Sequence, residues 1–391
     1  MKIVIAMDSF KGSLSSLEAG RAVADGIYRA ASMRRRKNAG QKNEAAEQPK
    51  IEIKPLADGG EGTTEALVAG LGGRMVSAVV SGPLGERLNA QYGILPDERT
   101  AVLEMAAAAG LALVPGERRP FDATTYGVGE LIRSAVKEGC RRFMVGIGGS
   151  ATNDGGIGML EALGFEFLDK AGEPVPPGAK GLGRVETIRA EHVLSELREC
   201  SFQVACDVTN PLCGTQGATF VFGPQKGVRE EEKEALDAAM YHFAGKAAEF
   251  NGRDCKKMPG AGAAGGLGFA FLSFLNAELR SGIDLVMDAA GLEESLGDAD
   301  YVVTGEGRLD GQSAMGKAPV GVARAAKKQG VKVIVLAGSL GPGAEVCNDA
   351  GVDAFFSVLT NPVSLEEAME PKKARENISR TSEQLFRLLL S

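Results

Sequence analysis

The feature that most restricts the fold is a transition repeated along the chain. A short apolar run gives way to glycine with an acid, and a helical pattern follows. The clearest instance is 144–156, MVGIGGSATNDGG. Residues 143–147 are apolar and short enough for a buried strand, and 157–163 carry helical spacing. The turn between them would leave bare amides at a helix N-terminus, where unpaired N–H groups and the helix dipole favour an anion. The same small residues also suit a plain tight turn. Similar transitions occur where 2–7 meets Asp8, where 51–57 meets Asp58-Gly59-Gly60-Glu61-Gly62, and where 202–206 meets Asp207. In another, 301–304 meets the loop 305–311, which carries Glu306, Arg308 and Asp310. Ligands of open α/β sheets bind at such strand ends. Carboxylates gathered beside bare backbone point to a site rather than a scaffold.

Glycine accounts for 53 of 391 residues, about double the usual ~7%. Because the glycines cluster at expected strand ends, they read as loops of a folded protein. A net charge of −7 argues against nucleic acid or an anionic membrane as partner. The six cysteines form no CxxC pair and suit a reducing compartment. No apolar stretch approaches the ~20 residues of a membrane span, and the run 3–7 is too short for a signal peptide. A cytoplasmic protein is expected. His192 and His242, the only histidines, lie far from the glycine clusters. Chemistry must therefore come from carboxylates, lysine, hydroxyls and amides, an inventory that suits phosphoryl transfer.

Other segments read in chain order. Ser15 and Glu18 form a capping box opening a helix to about residue 31. The polar stretch 32–50 reads as a solvated excursion, and 73–96 as a hairpin. Helices are expected at 126–138, 230–250, 269–279 and 364–390, and strands at 331–337 and 354–359. Gly146-x-Gly148-x-x-Ala151 loosely matches a dinucleotide fingerprint, but 153–156 delays the helix. Gly311-x4-Gly316-Lys317 is nearly a P-loop, although Ala318 replaces the Mg²⁺-binding hydroxyl. Lys317, near a helix start with Pro319 close behind, remains a phosphate candidate.

Together DSFKGSLSSLEA, PLADGGEGTTEAL, GIGGSATNDGGIGMLEALG, CDVTNPLCG, FGPQKG, PGAGAAGGLG and TGEGRLDGQS resemble the bacterial class-I glycerate kinases over almost the whole chain. Met7, where that family commonly has proline, and the long 32–50 stretch depart from the pattern without removing an ionisable group. The resemblance implies two α/β domains of different topology, one a largely parallel doubly wound sheet and one a mixed sheet, with the active site in the cleft between them. The first would be discontinuous, 1–72 with 290–391, and 73–289 would be inserted. The implied activity is ATP-dependent phosphorylation of D-glycerate with Mg²⁺. The usual product is 2-phosphoglycerate, and 3-phosphoglycerate is the alternative. A homodimer is possible.

Such a kinase needs a phosphate cradle, a metal, a grip on the glycerate carboxylate and a carboxylate to orient the hydroxyl. Gly148, Gly149, Ser150, Asn153 and Lys317 are candidates for ATP, and Asp8, Ser9 and Arg308 for substrate. Lys11 is a candidate for transition-state charge or the substrate carboxylate. Asp58 or Asp207 would orient the hydroxyl, and Asp154, Glu306 or Asp310 would hold Mg²⁺. The competing readings are an NAD-dependent oxidoreductase of small hydroxy acids and a non-catalytic binder of small acids.

Overall fold

The computed structural model describes residues 1–38 and 48–390. The chain divides into two compact units, Met1–Asp58 with Val286–Ser391, and Gly59–Leu285. The expected switch after residue 72 therefore comes earlier. Helix Thr63–Leu71 packs on strands Arg74–Ser81, Arg87–Ile94 and Thr100–Glu104, so it belongs with the inserted unit.

In the first unit, five parallel strands lie in the order Ala354–Ser357, Lys332–Leu340, Tyr301–Leu309, Lys2–Met7, Lys50–Ile53. All six residues of Lys2–Met7 are buried. That explains its unbroken apolar run, since a central parallel strand is covered on both faces. Helices Ser16–Asn38 and Pro371–Leu389 pack together. They meet so closely at Gly26 that a Cβ there would lie 2.3 Å from the Ser379 carbonyl oxygen. The capping box forms as expected, with the Ser15 amide donating to Glu18 and the Glu18 amide to the Ser15 hydroxyl. The helix runs seven residues past the expected end, to Asn38. Residues 39–47 of the expected polar excursion lie outside the described residues.

Strand length creates the working edge of this sheet. Tyr301–Leu309 extends well beyond the expected Thr304 and pairs with Lys332–Leu340 through Leu309. Its glycines disguised it as a loop. Gly305 is required there because a Cβ would lie 1.9 Å from the Leu336 carbonyl oxygen. Strand Lys2–Met7 stops at the level of Gly305, and the Asp8 amide donates its last bond to the Gly305 carbonyl. Beyond that point Tyr301–Leu309 loses one neighbour, which leaves Glu306, Gly307 and Arg308 beside an open crevice at the carboxyl ends of the strands.

The second unit has a six-stranded mixed sheet. Its order is Glu278–Arg280, Ser201–Ala205, Arg142–Gly146, Thr100–Glu104, Arg87–Ile94, Arg74–Ser81. The first four are parallel and the expected hairpin is antiparallel. Strand Glu278–Arg280 replaces the end of the helix expected at 269–279, which here is Ala263–Phe274. A separate antiparallel pair joins Glu166–Leu168 to Thr187–Arg189. Among the described residues, no helix is long and apolar enough to cross a membrane.

Candidate active site

The first unit gathers charged groups around one cavity of about 460 Å³. Asp8, Ser9 and Lys11 reach it from the turn after Lys2–Met7. Asp58 comes from beyond Lys50–Ile53, Glu306 and Arg308 from the extended strand, and Lys317 from the start of helix Ala318–Lys328. The Lys11 ammonium lies 3.2 Å from an Asp58 carboxylate oxygen. The chain reverses at Gly12, φ +77°, where a Cβ would meet the Met369 methyl at 2.7 Å. The left-handed backbone selects glycine beside Lys11, whereas the Met369 methyl is the free end of a flexible side chain and could move aside.

Asp8 is buried, and its carboxylate accepts the Ser9 amide at 2.6 Å. Burial pushes its pKa up to about 7, and Asp58 and Glu306 add to the rise while the Ser9 amide and Lys11 oppose it. Folding thus strengthens proton binding at Asp8. Its contribution to stability is full below pH about 4 and is lost as pH rises to about 7. The interval from 3.8 to about 7 corresponds to roughly 4 kcal/mol at most. Melting curves recorded with chelator should show wild type losing ground to Asp8→Asn between those limits, then running parallel at higher pH. A constant offset from pH 4 to 8 would contradict the assignment.

Burial also raises the pKa of Glu306, against the Ser313 hydroxyl and Lys317. Its Oε1 is buried and has no hydrogen-bond partner among the described residues. An orphaned carboxylate oxygen in a pocket fits a hard cation. Asp310 is more committed. One oxygen accepts the Gln312 amide at 3.0 Å and the other lies 3.3 Å from Arg308 Nε. No three metal-ligating side chains cluster among the described residues. Any Mg²⁺ here would need phosphate oxygens and waters to complete its shell, as is usual for that ion.

In the second unit, part of the glycine-rich loop 148–156 is bonded from within the protein. Asp154 is fully buried, and its carboxylate accepts the Thr125 amide and hydroxyl, each at 2.8 Å. It also accepts the Gly156 amide at 3.1 Å and, more weakly, the Gly158 amide at 3.4 Å. The anion expected at the start of helix Ile157–Ala162 is therefore the protein's own side chain. The oxygens of Asp154 are spent on these donors, which leaves a poor metal ligand. Lys226, likewise buried, donates to the Thr152 carbonyl at 2.6 Å, and burial depresses its pKa to about 7 despite the nearby Asp154.

The same device recurs. Glu104 accepts the Gly62 and Thr64 amides at 3.2 and 2.8 Å, at the start of helix Thr63–Leu71. Asp207 accepts the Gly282 amide at 3.1 Å. Of the expected cradle, Gly148 and Gly149 are exposed, while Ser150 and Asn153 are buried. Sequence reasoning missed Glu104 and the burial of Lys226. The signal for Glu104 was a lone acid closing the apolar run 101–103, and in the sheet it lies in register with Gly146.

The profile of the Glycerate kinase family matches residues 3–390. The chain belongs to that family. As a glycerate kinase family member, and hence a kinase, it is 46% identical to the glycerate kinase of Bacillus subtilis over 386 residues, covering 98% of this chain and 96% of the relative. It is also 46% identical to the Escherichia coli protein named glycerate 2-kinase, over 383 residues, with the same coverage. A crystal structure from Salmonella typhimurium LT2, described as a candidate glycerate kinase 2, matches with a TM-score of 0.88 and 45% identity. The match covers 100% of this chain and 98% of that one.

Proposed function

We propose that this kinase transfers the γ-phosphoryl group of ATP to D-glycerate, giving 2-phosphoglycerate. The observation that carries the reading is the first unit's pocket. Carboxylates Asp8, Asp58 and Glu306 and cations Lys11, Arg308 and Lys317 all line it. Phosphoryl transfer asks little covalent chemistry of the protein and depends on placing charge. The names of the Bacillus and Escherichia relatives support the acceptor and, for the latter, the 2-position.

In this reading Asp58 orients the attacking hydroxyl and takes its proton as the O–P bond forms. Lys11, paired with Asp58, neutralises charge on the transferring group, and Arg308 grips the glycerate carboxylate. Lys317 meets the phosphates. Glu306 is the carboxylate that would hold Mg²⁺, with Asp310 in support; the ion, when bound, neutralises phosphate oxygens. Asp154 is assigned no chemical role, since the donors it accepts already engage both its oxygens, and Asp207 is assigned none because it does not line the pocket of the first unit.

ADP release measured by a coupled assay should require D-glycerate, and phosphorus NMR of the product should show the phosphate on C2. Glycerate-independent ADP release would remove the acceptor assignment. A C3 phosphate would keep the kinase and correct its regiochemistry.

A further inference from the structure

The pocket of the first unit is larger than a three-carbon acid requires, and only part of it is charged. Its remaining wall is apolar, formed chiefly by Val358, Leu359, Leu365, Ala368 and Met369. D-Glycerate has no apolar surface to match these groups. The strand order sorts the two chemistries along the carboxyl edge of the sheet. Asp58 lies past one edge strand, Asp8 and then Glu306 with Arg308 follow, next come Gly338 and Ser339, and Leu359 lies past the other edge strand. From Lys2–Met7 to Ala354–Ser357 is three inter-strand steps, about 14 Å at ~4.8 Å each. The floor along that path is nearly bare backbone. Gly307 and Gly338 line it from neighbouring strands, and a Cβ on Gly307 would meet nothing closer than 3.8 Å, so the floor there is bare by more than strand packing requires. Glycine pairs of this kind let a ligand lie against the strands.

We propose that the apolar end is the base-binding end of a nucleoside triphosphate site, roofed by the short helix Leu365–Met369. The triphosphate crosses the glycine floor toward Lys317, Arg308 and Lys11. The inference rests on the kinase reading and adds the position of the donor. Charge complementarity sets the direction: the cations are at the strand ends near Asp8, and none of the side chains named in the apolar wall is charged. Leu365, Ala368 and Met369 recur at i, i+3 and i+4, so they share one face of the roof helix. Leu365 is 76% exposed, the highest value for a large hydrophobic among the described residues, and a planar base would cover it. Ser364 caps the roof helix by accepting the Glu367 amide at 3.1 Å. Asn377, one turn beyond Ala374 on the next helix, supplies an amide at this end.

The test uses the full-length enzyme with two variants. Leu365→Asp places a charge under the base at a position the core does not use, and Ala368→Phe fills the space. Each should raise KM for ATP about tenfold and leave KM for D-glycerate within about twofold. Photolabelling of wild type with 8-azido-ATP should modify residues within 358–377 and be suppressed by excess ATP. A rise in KM for D-glycerate with KM for ATP unchanged would overturn the proposal, as would ATP-protected label confined to another segment. Either result is distinguishable from failure of the kinase reading, in which wild type itself would release no glycerate-dependent ADP.

Discussion

Asp58→Asn is expected to lower kcat about a thousandfold, within the range for removing a positioned acid–base group. The melting temperature should scarcely move. Asparagine keeps the shape of the side chain and loses the charge that takes the hydroxyl proton. The structural cost is small because the Lys11–Asp58 pair is open to water, with side-chain exposures of 68% and 27%. Solvent-exposed pairs contribute roughly 0–1 kcal/mol. Activity and stability should therefore separate cleanly, with steady-state rates collapsing while calorimetry barely changes. Wild-type turnover by folded Asp58→Asn protein would remove Asp58 from the chemistry and leave Asp8, the buried acid beside it, as the nearest replacement.

Asp154→Ala should do the opposite. The carboxylate is wholly enclosed and satisfies two donors on Thr125 together with the amides of Gly156 and Gly158. Its removal strands all of these and deprives buried Lys226 of its nearby negative charge. Breaking such an arrangement costs about 3–5 kcal/mol. The melting temperature should drop by roughly 5–10 °C. The Mg²⁺ concentration for half-maximal rate, measured in the cold on protein that remains folded, should be unchanged. A variant that melts like wild type but needs much more Mg²⁺ would restore Asp154 to the metal site.

These two aspartates also show what could and could not be read from the chain. Both follow an apolar run and stand next to glycine, and at the level of sequence they are the same kind of residue. Asp58 faces a pocket with Lys11, whereas Asp154 is turned inward onto the amides of its own loop. Local pattern establishes that bare amides exist at a strand–helix turn. It does not say whether a ligand or a distant side chain satisfies them, because that partner can come from any part of the chain. Glu104 is the sharper case. It occupies the amides of Gly62 and Thr64 from some forty residues away, with only its place at the end of an apolar run to betray it.

Secondary structure failed for a related reason. Strand Tyr301–Leu309 was expected to end at Thr304 because glycine ordinarily weakens strands. Gly305 is demanded instead by the adjacent strand, whose Leu336 carbonyl leaves no room for a side chain there. The three-residue strand Glu278–Arg280 was hidden in a helical pattern, since edge pairing with Ser201–Ala205 decides its state.

The order of apolar runs, the capping box at Ser15, the hairpin at 73–96 and the strand-end acids were enough by themselves to point to an α/β protein with an antiparallel piece, while the division into one parallel and one mixed sheet came from the family resemblance. Those signals are local, carried by side-chain periodicity and by hydrogen bonds a few residues long. The tertiary structure alone decided which acids face solvent, which glycines floor a pocket and which merely let strands touch. Each of those outcomes depends on a neighbour brought close by folding, and the free energy of a buried charge is set by that neighbour rather than by its place in the chain.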